Sequence, residues 1–476
     1  MKFPFALVLA ATSFHATADI ITDVPLVTYD RAAFEARAKK AFANDVMGYQ
    51  ALLLKNGQIV GEVAGGKARN SADGVVGMTT SNPANVGSTI KFTGGVSLLQ
   101  LFESKDPVIN PKGLTVDQWL DLPVWTFLPA VWQKDMNPSI KLIKFRHLLT
   151  HKSGFRKLGT GDAGTDGEMR FFDYLKKGVV ETDMTRNYQN ANFSMVTYLV
   201  PMIAYPSFRD TVNKEAANNN WSAESQEIHK RIALVWEAYI KGAVYARLTP
   251  PIDPSCNPTV DYPKENRTWA PDYRSKDDTA KGGTRDERIA NNGYCQAQGG
   301  WYLSGRELAA FVANFQATNK LMSAATREKM FDDDKWDDRL VWSFTINDQF
   351  IKNKFNWRTM PYMGGDHFGA HATILMLPGG YQAVGIINSD DIGSYGVTAR
   401  LLRAFKTGIG EPEAAGCSAL ITDIPAARAK IATLEKIVAA QQVPPGALTA
   451  EMLQLAIARK NLAELVATEE RLVCSL

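Results

Sequence analysis

The sequence predicts an α+β fold on three observations. Strand-like segments gather near the two ends of the chain, at residues 49 to 63 and 341 to 388. Apolar residues at helical spacing recur between them, and the last sixty or so residues form a separate helical pattern. The composition is that of a globular protein of 476 residues, with 45% apolar and 22% charged residues, enough for one large core or two smaller ones. The formal net charge is only +3 and no basic stripe stands out, so nucleic acid is not expected as a partner.

The elements follow in order. Residues 1–18 read as an export signal. Lys2 supplies the positive start, Phe3 to Ala11 a short apolar core, and Ala16-Thr17-Ala18 a small-x-small cleavage site before Asp19. A periplasmic or secreted location is therefore expected. An N-terminal strand or an anchor is the competing reading, but the apolar core is too short to cross a bilayer, and no later run is long enough for a membrane span. Residues 19–410 are expected to form the main domain. Tyr49 to Lys55 and Gln58 to Val63 flank Asn56-Gly57, the pair that best fits a tight hairpin turn. After a Gly/Asn/Ser-rich stretch, Val96, Leu98, Leu99, Leu101 and Phe102 mark a buried helix. Leu142 to His151 reads as a second helix, ended by Ser153-Gly154.

Residues 201–294 are rich in Asn, Pro, Asp and Lys and break the apolar period except at Ile228 to Leu248, so they are expected to be an insertion or cap over a site. Leu303 to Phe315 returns to helical spacing. Val341 to Ile346, Ala372 to Leu377 and Ala383 to Asn388 read as strands. Residues 411–476 are expected to form a C-terminal helical hairpin. Asp423 and Pro425 open its first helix, Pro444-Pro445-Gly446 breaks the run, and Met452, Leu455, Leu462 and Leu465 mark the second. A coiled-coil dimerisation arm is the rival reading, though each run is short for one. The oligomeric state is not legible. Of the three pairings open to four cysteines, Cys256–Cys295 would close the insertion and Cys417–Cys474 would tie the C-terminus, as an oxidising compartment allows. Four buried free thiols are the alternative.

Two motifs carry chemistry. Ser88-Thr89-Ile90-Lys91 at a helix start puts both functional side chains on one face. Serine needs a base to take its proton, a lysine in a crowded, partly apolar site can serve as one, and the helix N-terminus offers N–H groups to an oxyanion. By itself the spacing is weak, since a chain this long holds about one by chance. In Tyr188-Gln189-Asn190 a phenol beside an ammonium can relay a proton, and the Asn190 amide can bind a carbonyl.

Order and context strengthen both. Val86 to Thr93 resembles the nucleophile segment of the penicillin-recognising serine hydrolases: class C β-lactamases, family VIII carboxylesterases, D-aminopeptidases and 6-aminohexanoate-oligomer hydrolases. Ile143 to Phe155 is similar to that superfamily's RHLLTHTSG segment, Tyr188 to Phe193 to its Tyr-Ser-Asn segment, and Gly299 to Ser304 with Glu307-Leu308 to its Gly-Gly-x-x-Ser segment. The resemblance covers about residues 30 to 405 and leaves out the C-terminal hairpin. It implies a mainly antiparallel sheet flanked by helices with an all-helical lobe, the β-lactamase/transpeptidase-like fold. It implies an acyl-enzyme at Ser88, Lys91 and Tyr188 sharing the acid–base work, Asn190 orienting substrate, and the Ser88 N–H as half of an oxyanion hole. Trp301 and Tyr302 would lie near the pocket. No cofactor is implied.

One element departs. Where the superfamily carries Lys-Thr-Gly or His-x-Gly, counting back from the next strand gives Met363-Gly364-Gly365, and a tighter loop would give His367-Phe368-Gly369. The first choice removes the cation that would hold a β-lactam carboxylate and leaves a backbone N–H of Asp366 or His367 for the oxyanion hole; Gly365 allows a close backbone approach. The expectation is a hydrolase of a small carboxylic ester. An amide or D-amino-acid peptide hydrolase, β-lactam-type amides included, is the alternative, and a catalytically silent penicillin-recognising binding protein is the second class.

Rival readings concern other residues. His147 and His151, and again His367 and His371, repeat the i, i+4 spacing of zinc-binding helices, but Leu148 stands where such a site carries its Glu base, and no metal is expected. Asp162, Asp166 and Glu168 fit a solvated loop better than a calcium site. Ser153 lies in no nucleophile elbow.

Overall fold

The computed structural model describes residues 29–155, 171–264, 268–283, 295–331, 339–357, 359–410 and 417–440, with parts of 452–460. Nine strands are described: β1 Gly48–Lys55, β2 Gln58–Arg69, β3 Val76–Gly77, β4 Ala84–Asn85, β5 Tyr302–Leu303, β6 Phe344–Ile346, β7 Met360–His367, β8 Ala370–Met376 and β9 Tyr381–Ile387. Seven of them form one antiparallel sheet in the order β3-β2-β1-β9-β8-β7-β6, and β4 pairs with β5 apart from it. The expected hairpin is β1–β2, turning on Asn56 and Gly57, both at positive φ.

The central strands are apolar at nearly every position because both faces are covered. On β1, Leu52 and Leu54 face one core and Tyr49, Ala51 and Leu53 the other. On β9, Val384 and Ile386 divide from Ala383 and Ile387 in the same way. The smaller core lies under α1 (Arg31–Phe42) and the long helix Ser394–Gly408, through Phe34, Phe42, Val397, Leu401 and Phe405. The larger core runs from the other face into a helical lobe. It holds α2 (Lys91–Phe102), the short α3 (Phe145–Leu149), α4 (Asn190–Ala204), α5 (Pro206–Asn218), α6 (Gln226–Tyr239) and α7 (Gly305–Ala317). Each fully buried leucine or valine there is worth roughly 1.5–3 kcal/mol. The helix Ser394–Gly408 is α8, and Cys417–Ala440 is α9. This is the α+β architecture expected, an antiparallel sheet flanked by helices with an all-helical lobe.

Some expectations are corrected and one is left open. In the region read as an insertion or cap, 201–294, Val212, Ile228, Ile232, Trp236 and Tyr245 are fully buried in the core of the lobe, which leaves that reading as it stood. Polar residues such as Asn218, Asn219 and Asn220 line the exposed side and mask the period. The expected helix 142–151 is helical only over Phe145–Leu149, because Ile143 and Lys144 are extended. The helix α9 starts at Cys417, ahead of the Asp423 cap expected. The described 457–460 segment is helical too, and Arg459 pairs with Glu435 of α9 at 2.7 Å. Cys256 and Cys295 are disulfide-bonded, Cα to Cα 5.3 Å. Cys474, Asp162, Asp166, Glu168 and the leader at 1–18 lie outside the described residues. Among the described residues no helix is long and apolar enough to cross a membrane.

Candidate active site

Ser88 sits in a tight 3₁₀ turn, Gly87–Ile90, that runs directly into α2. Three residues per turn place Ser88 and Lys91 one above the other. The Lys91 amine reaches Ser88 Oγ at 2.7 Å and donates to the Gln298 carbonyl at 2.7 Å. Lys91 is wholly buried, and Ser88 is half-buried. The turn is held from behind: Val86 N–H donates to the Trp301 carbonyl at 3.0 Å, and Gly87 N–H to Asn85 Oδ1 at 2.9 Å. Trp301 and Tyr302, expected near the pocket, are fully buried as backing for this turn.

Tyr188 lies across the amine, with Lys91 Nζ 5.2 Å from its ring centre. Phe344 stacks on it at 5.8 Å and the His151 ring lies 4.6 Å away. His151 fixes the backbone on both sides of this tyrosine. Its carbonyl accepts from Asn187 N–H at 2.8 Å, and its Nδ1 accepts from Gln189 N–H at 3.3 Å and from Asn192 Nδ2 at 3.1 Å. Two donors at Nδ1 leave the proton on Nε2. Burial, with the nearby Lys91 and Arg186 charges adding to it, pushes the His151 pKa well below its usual value, so the ring stays neutral. Asn190 opens α4, half-buried, two residues past Tyr188.

The second wall is the end of β7. Beyond Tyr362, which pairs with Phe344 of β6, the strand has no β6 neighbour and lies against the Ser88 turn instead. A Cβ on Gly365 would stand 2.0 Å from the Val86 carbonyl oxygen, and one on Gly87 (φ +51°) would stand 3.0 Å from the Asp366 nitrogen. Only glycine allows this approach. Of the two registers left open, Met363-Gly364-Gly365 is therefore the segment beside Ser88; His367-Phe368-Gly369 forms the turn beyond it. Met363 is fully buried and brings no cation. The Asp366 carboxylate points to the other side of the strand, toward His371 and Ser394. His367 Nδ1 meets Asp272 Oδ2 at 3.2 Å, and Asn85 donates to the same oxygen at 3.2 Å, so the segment around 272 borders the nucleophile turn.

The two histidine pairs are not brought together as metal ligands. His147 Nδ1 accepts from Lys144 N–H while His151 binds the Tyr188 segment, and His367 and His371 stand on opposite strands of a hairpin. Ser153 is buried and its Oγ accepts from Phe155 N–H. Sequence reasoning missed Gln298 as the acceptor for Lys91, although it directly precedes the Gly299-Gly300 pair. It weighed His151 only as the end of a helix and half of a zinc-like pair, and no pattern pointed to Asp272.

No protein-family model matches the chain, and no curated protein matches it at a significant level. Solved structures do match in fold. The octameric penicillin-binding protein homologue from Pyrococcus abyssi aligns over 80% of this chain and 77% of its own, at 16% identity and a TM-score of 0.53. FmtA from Staphylococcus aureus aligns over 80% and 92%, at 16% identity and 0.53. The β-lactamase/D-alanine carboxypeptidase from Yersinia pestis aligns over 80% and 98%, at 13% identity and 0.54. The chain thus has the fold of the serine β-lactamase and penicillin-binding-protein superfamily.

Proposed function

We propose that this protein is a serine hydrolase that works through an acyl-enzyme on Ser88. The observation that carries the reading is the 2.7 Å contact between a wholly buried Lys91 amine and Ser88 Oγ, in a turn pressed against the Gly365 strand. Ser88 Oγ gives its proton to Lys91 as it attacks the carbonyl carbon. The oxyanion is met by the Ser88 and Asp366 N–H groups. The C–O or C–N bond then breaks, and the leaving group takes a proton through Tyr188. Water reverses these roles and releases the acid. Asn190 orients the substrate, and His367 at the edge of β7 borders it.

The preferred substrate is a small carboxylic ester. The apolar Met363 in the cation position supports this, since its side chain brings no charge to hold a substrate carboxylate. The sequence resemblance also leaves amide, D-amino-acid and β-lactam bonds as the second reading. We place the protein in the periplasm or outside the cell on the residues 1–18 pattern, which N-terminal sequencing of exported protein checks. The deciding experiment is intact-mass labelling with a fluorophosphonate, beside Ser88→Ala, with p-nitrophenyl butyrate, a D-alanyl anilide and a chromogenic cephalosporin as substrates. One adduct lost in the variant and fastest turnover of the ester are expected. An adduct elsewhere, or turnover that survives the substitution, removes Ser88 from the mechanism. An absent adduct with no turnover favours a silent binding protein.

A further inference from the structure

We propose that His371 is a positioning residue that fixes the Asp366 peptide beside Ser88; the inference rests on the acyl-serine reading for its catalytic consequence. Side chains alternate along β7, so Gly365 faces the nucleophile turn and Asp366 faces α8. Asp366 Oδ1 accepts from Ser394 N–H at 2.6 Å and from His371 Nδ1 at 2.7 Å, and Oδ2 accepts from Ser394 Oγ at 2.6 Å. His371 stands directly across from Asp366 on β8, and its Nε2 meets Asp390 Oδ1 at 2.9 Å. Both ring nitrogens thus meet carboxylate oxygens. The ring is only 6% exposed while the two carboxylates are 56% and 37% exposed, which makes the imidazole the buried centre of the assembly.

The clamp answers a local need. Asp366 follows two glycines and stands two residues before the turn that ends the strand, where backbone freedom and fraying are greatest. Ser394 opens α8, whose N-terminus favours an anion. Partial desolvation works against the Asp366 charge, but the bonds from His371 and Ser394 outweigh it and hold the carboxyl below its usual range. A Cβ on Gly364 would stand 2.5 Å from Ser394 Oγ, so the strand already lies flush on the helix start. Tilting the Asp366 N–H away from the Ser88 turn would break three bonds at once. The same charge network holds β7, β8, the turn after β9 and α8 at a single point.

The test compares His371→Leu, His371→Asn and Asp390→Asn with the parent protein, reading kcat and KM for p-nitrophenyl butyrate and backbone amide exchange over residues 364–371. His371→Leu should lower kcat about 10- to 100-fold, as loss of an oriented oxyanion donor does, with KM within about 2-fold. Exchange over 364–371 should rise while exchange in β1 stays as it was. His371→Asn, whose amide can still donate to Asp366, should recover part of kcat, and Asp390→Asn should cost only a few-fold. A kcat for His371→Leu within about 2-fold of the parent overturns the proposal. So does exchange that rises equally in β1, which marks a merely structural role. Should His371→Leu fail to fold, Asp390→Asn carries the same two readouts. If the parent takes no fluorophosphonate label, the hydrolase reading falls on its own, and unchanged exchange over 364–371 is then what overturns the clamp.

Discussion

The two walls of the site are held by different physics. On the nucleophile side, Lys91, Phe92, Val96, Leu98 and Leu99 of α2 are buried to the last atom, and Phe92 packs on Phe315 at 4.8 Å and Trp342 at 4.6 Å. Close packing fixes most of that helix, and the Lys91 bond to the Gln298 carbonyl pins its first residue. On the other side, the end of β7 is partly exposed and lies over a glycine pair, and charged hydrogen bonds from His371 and Ser394 hold it. A large core can carry a nucleophile rigidly. A backbone donor that must touch the nucleophile turn has no room for packing side chains and needs a bonded node behind it.

The contrast can be broken most completely at Ser88. Ser88→Ala should lower ester turnover by roughly 10⁴-fold or more with an unchanged melting temperature, because the half-buried Oγ carries chemistry and not the core. Gly365→Ala comes next. Its methyl would be driven to 2.0 Å from the Val86 carbonyl, so kcat should fall about 100-fold and unfolding in urea should show a loss of about 1–3 kcal/mol. Gly242→Ala, with nothing within 4 Å of the added carbon, is the control and should leave both alone.

His151→Leu should cost about 10-fold in kcat with KM little changed, as the Tyr188 segment loses its backing. His151→Asn, which keeps an acceptor near the Nδ1 position, should recover much of it. Equal loss in both variants would deny the hydrogen bonds their part.

The smallest effect on turnover is expected away from the site, where the comparison is sharpened through pH. His229, in the lobe, donates to or accepts from Tyr198 OH at 3.0 Å, and burial lowers its pKa from 6.5 to about 4. Folded protein therefore leaves His229 neutral where unfolded chain takes a proton. Stability from this group is complete above about 6.5 and falls as pH drops toward about 4, by on the order of 3 kcal/mol in all. His229→Phe should flatten urea-unfolding free energies over that window. An unchanged slope would show that other groups set the acid limb.

Much of this arrangement could be read from residues alone. The β1–β2 hairpin was legible in Asn56-Gly57 and its flanking apolar runs, and the candidates Ser88, Lys91 and Tyr188 in motifs whose order argues against chance. What stayed hidden has physical reasons. The strand β7 carries Gly364 and Gly365, residues that strands avoid, because beyond Tyr362 its edge serves a neighbouring turn instead of a partner strand, and Pro361 sits opposite Thr345 of the short β6. Asp272, His371 and Gln298 reach the site through long-range contacts that no local spacing encodes. The 201–248 region concealed its apolar face among polar residues on the opposite side.

The pairing of β1 with β9 has a consequence for how the chain is made. Tyr49 meets Ile387, and Lys55 meets Tyr381, so the centre of the sheet joins an early hairpin to one of the last strands. The hairpin must wait, its apolar residues uncovered, until almost the whole domain has emerged, and a chain truncated before residue 381 would have no strand to close on. Assembly of this molecule is therefore governed by its latest-arriving segment, and the interval before that arrival is when it most needs protection from self-association.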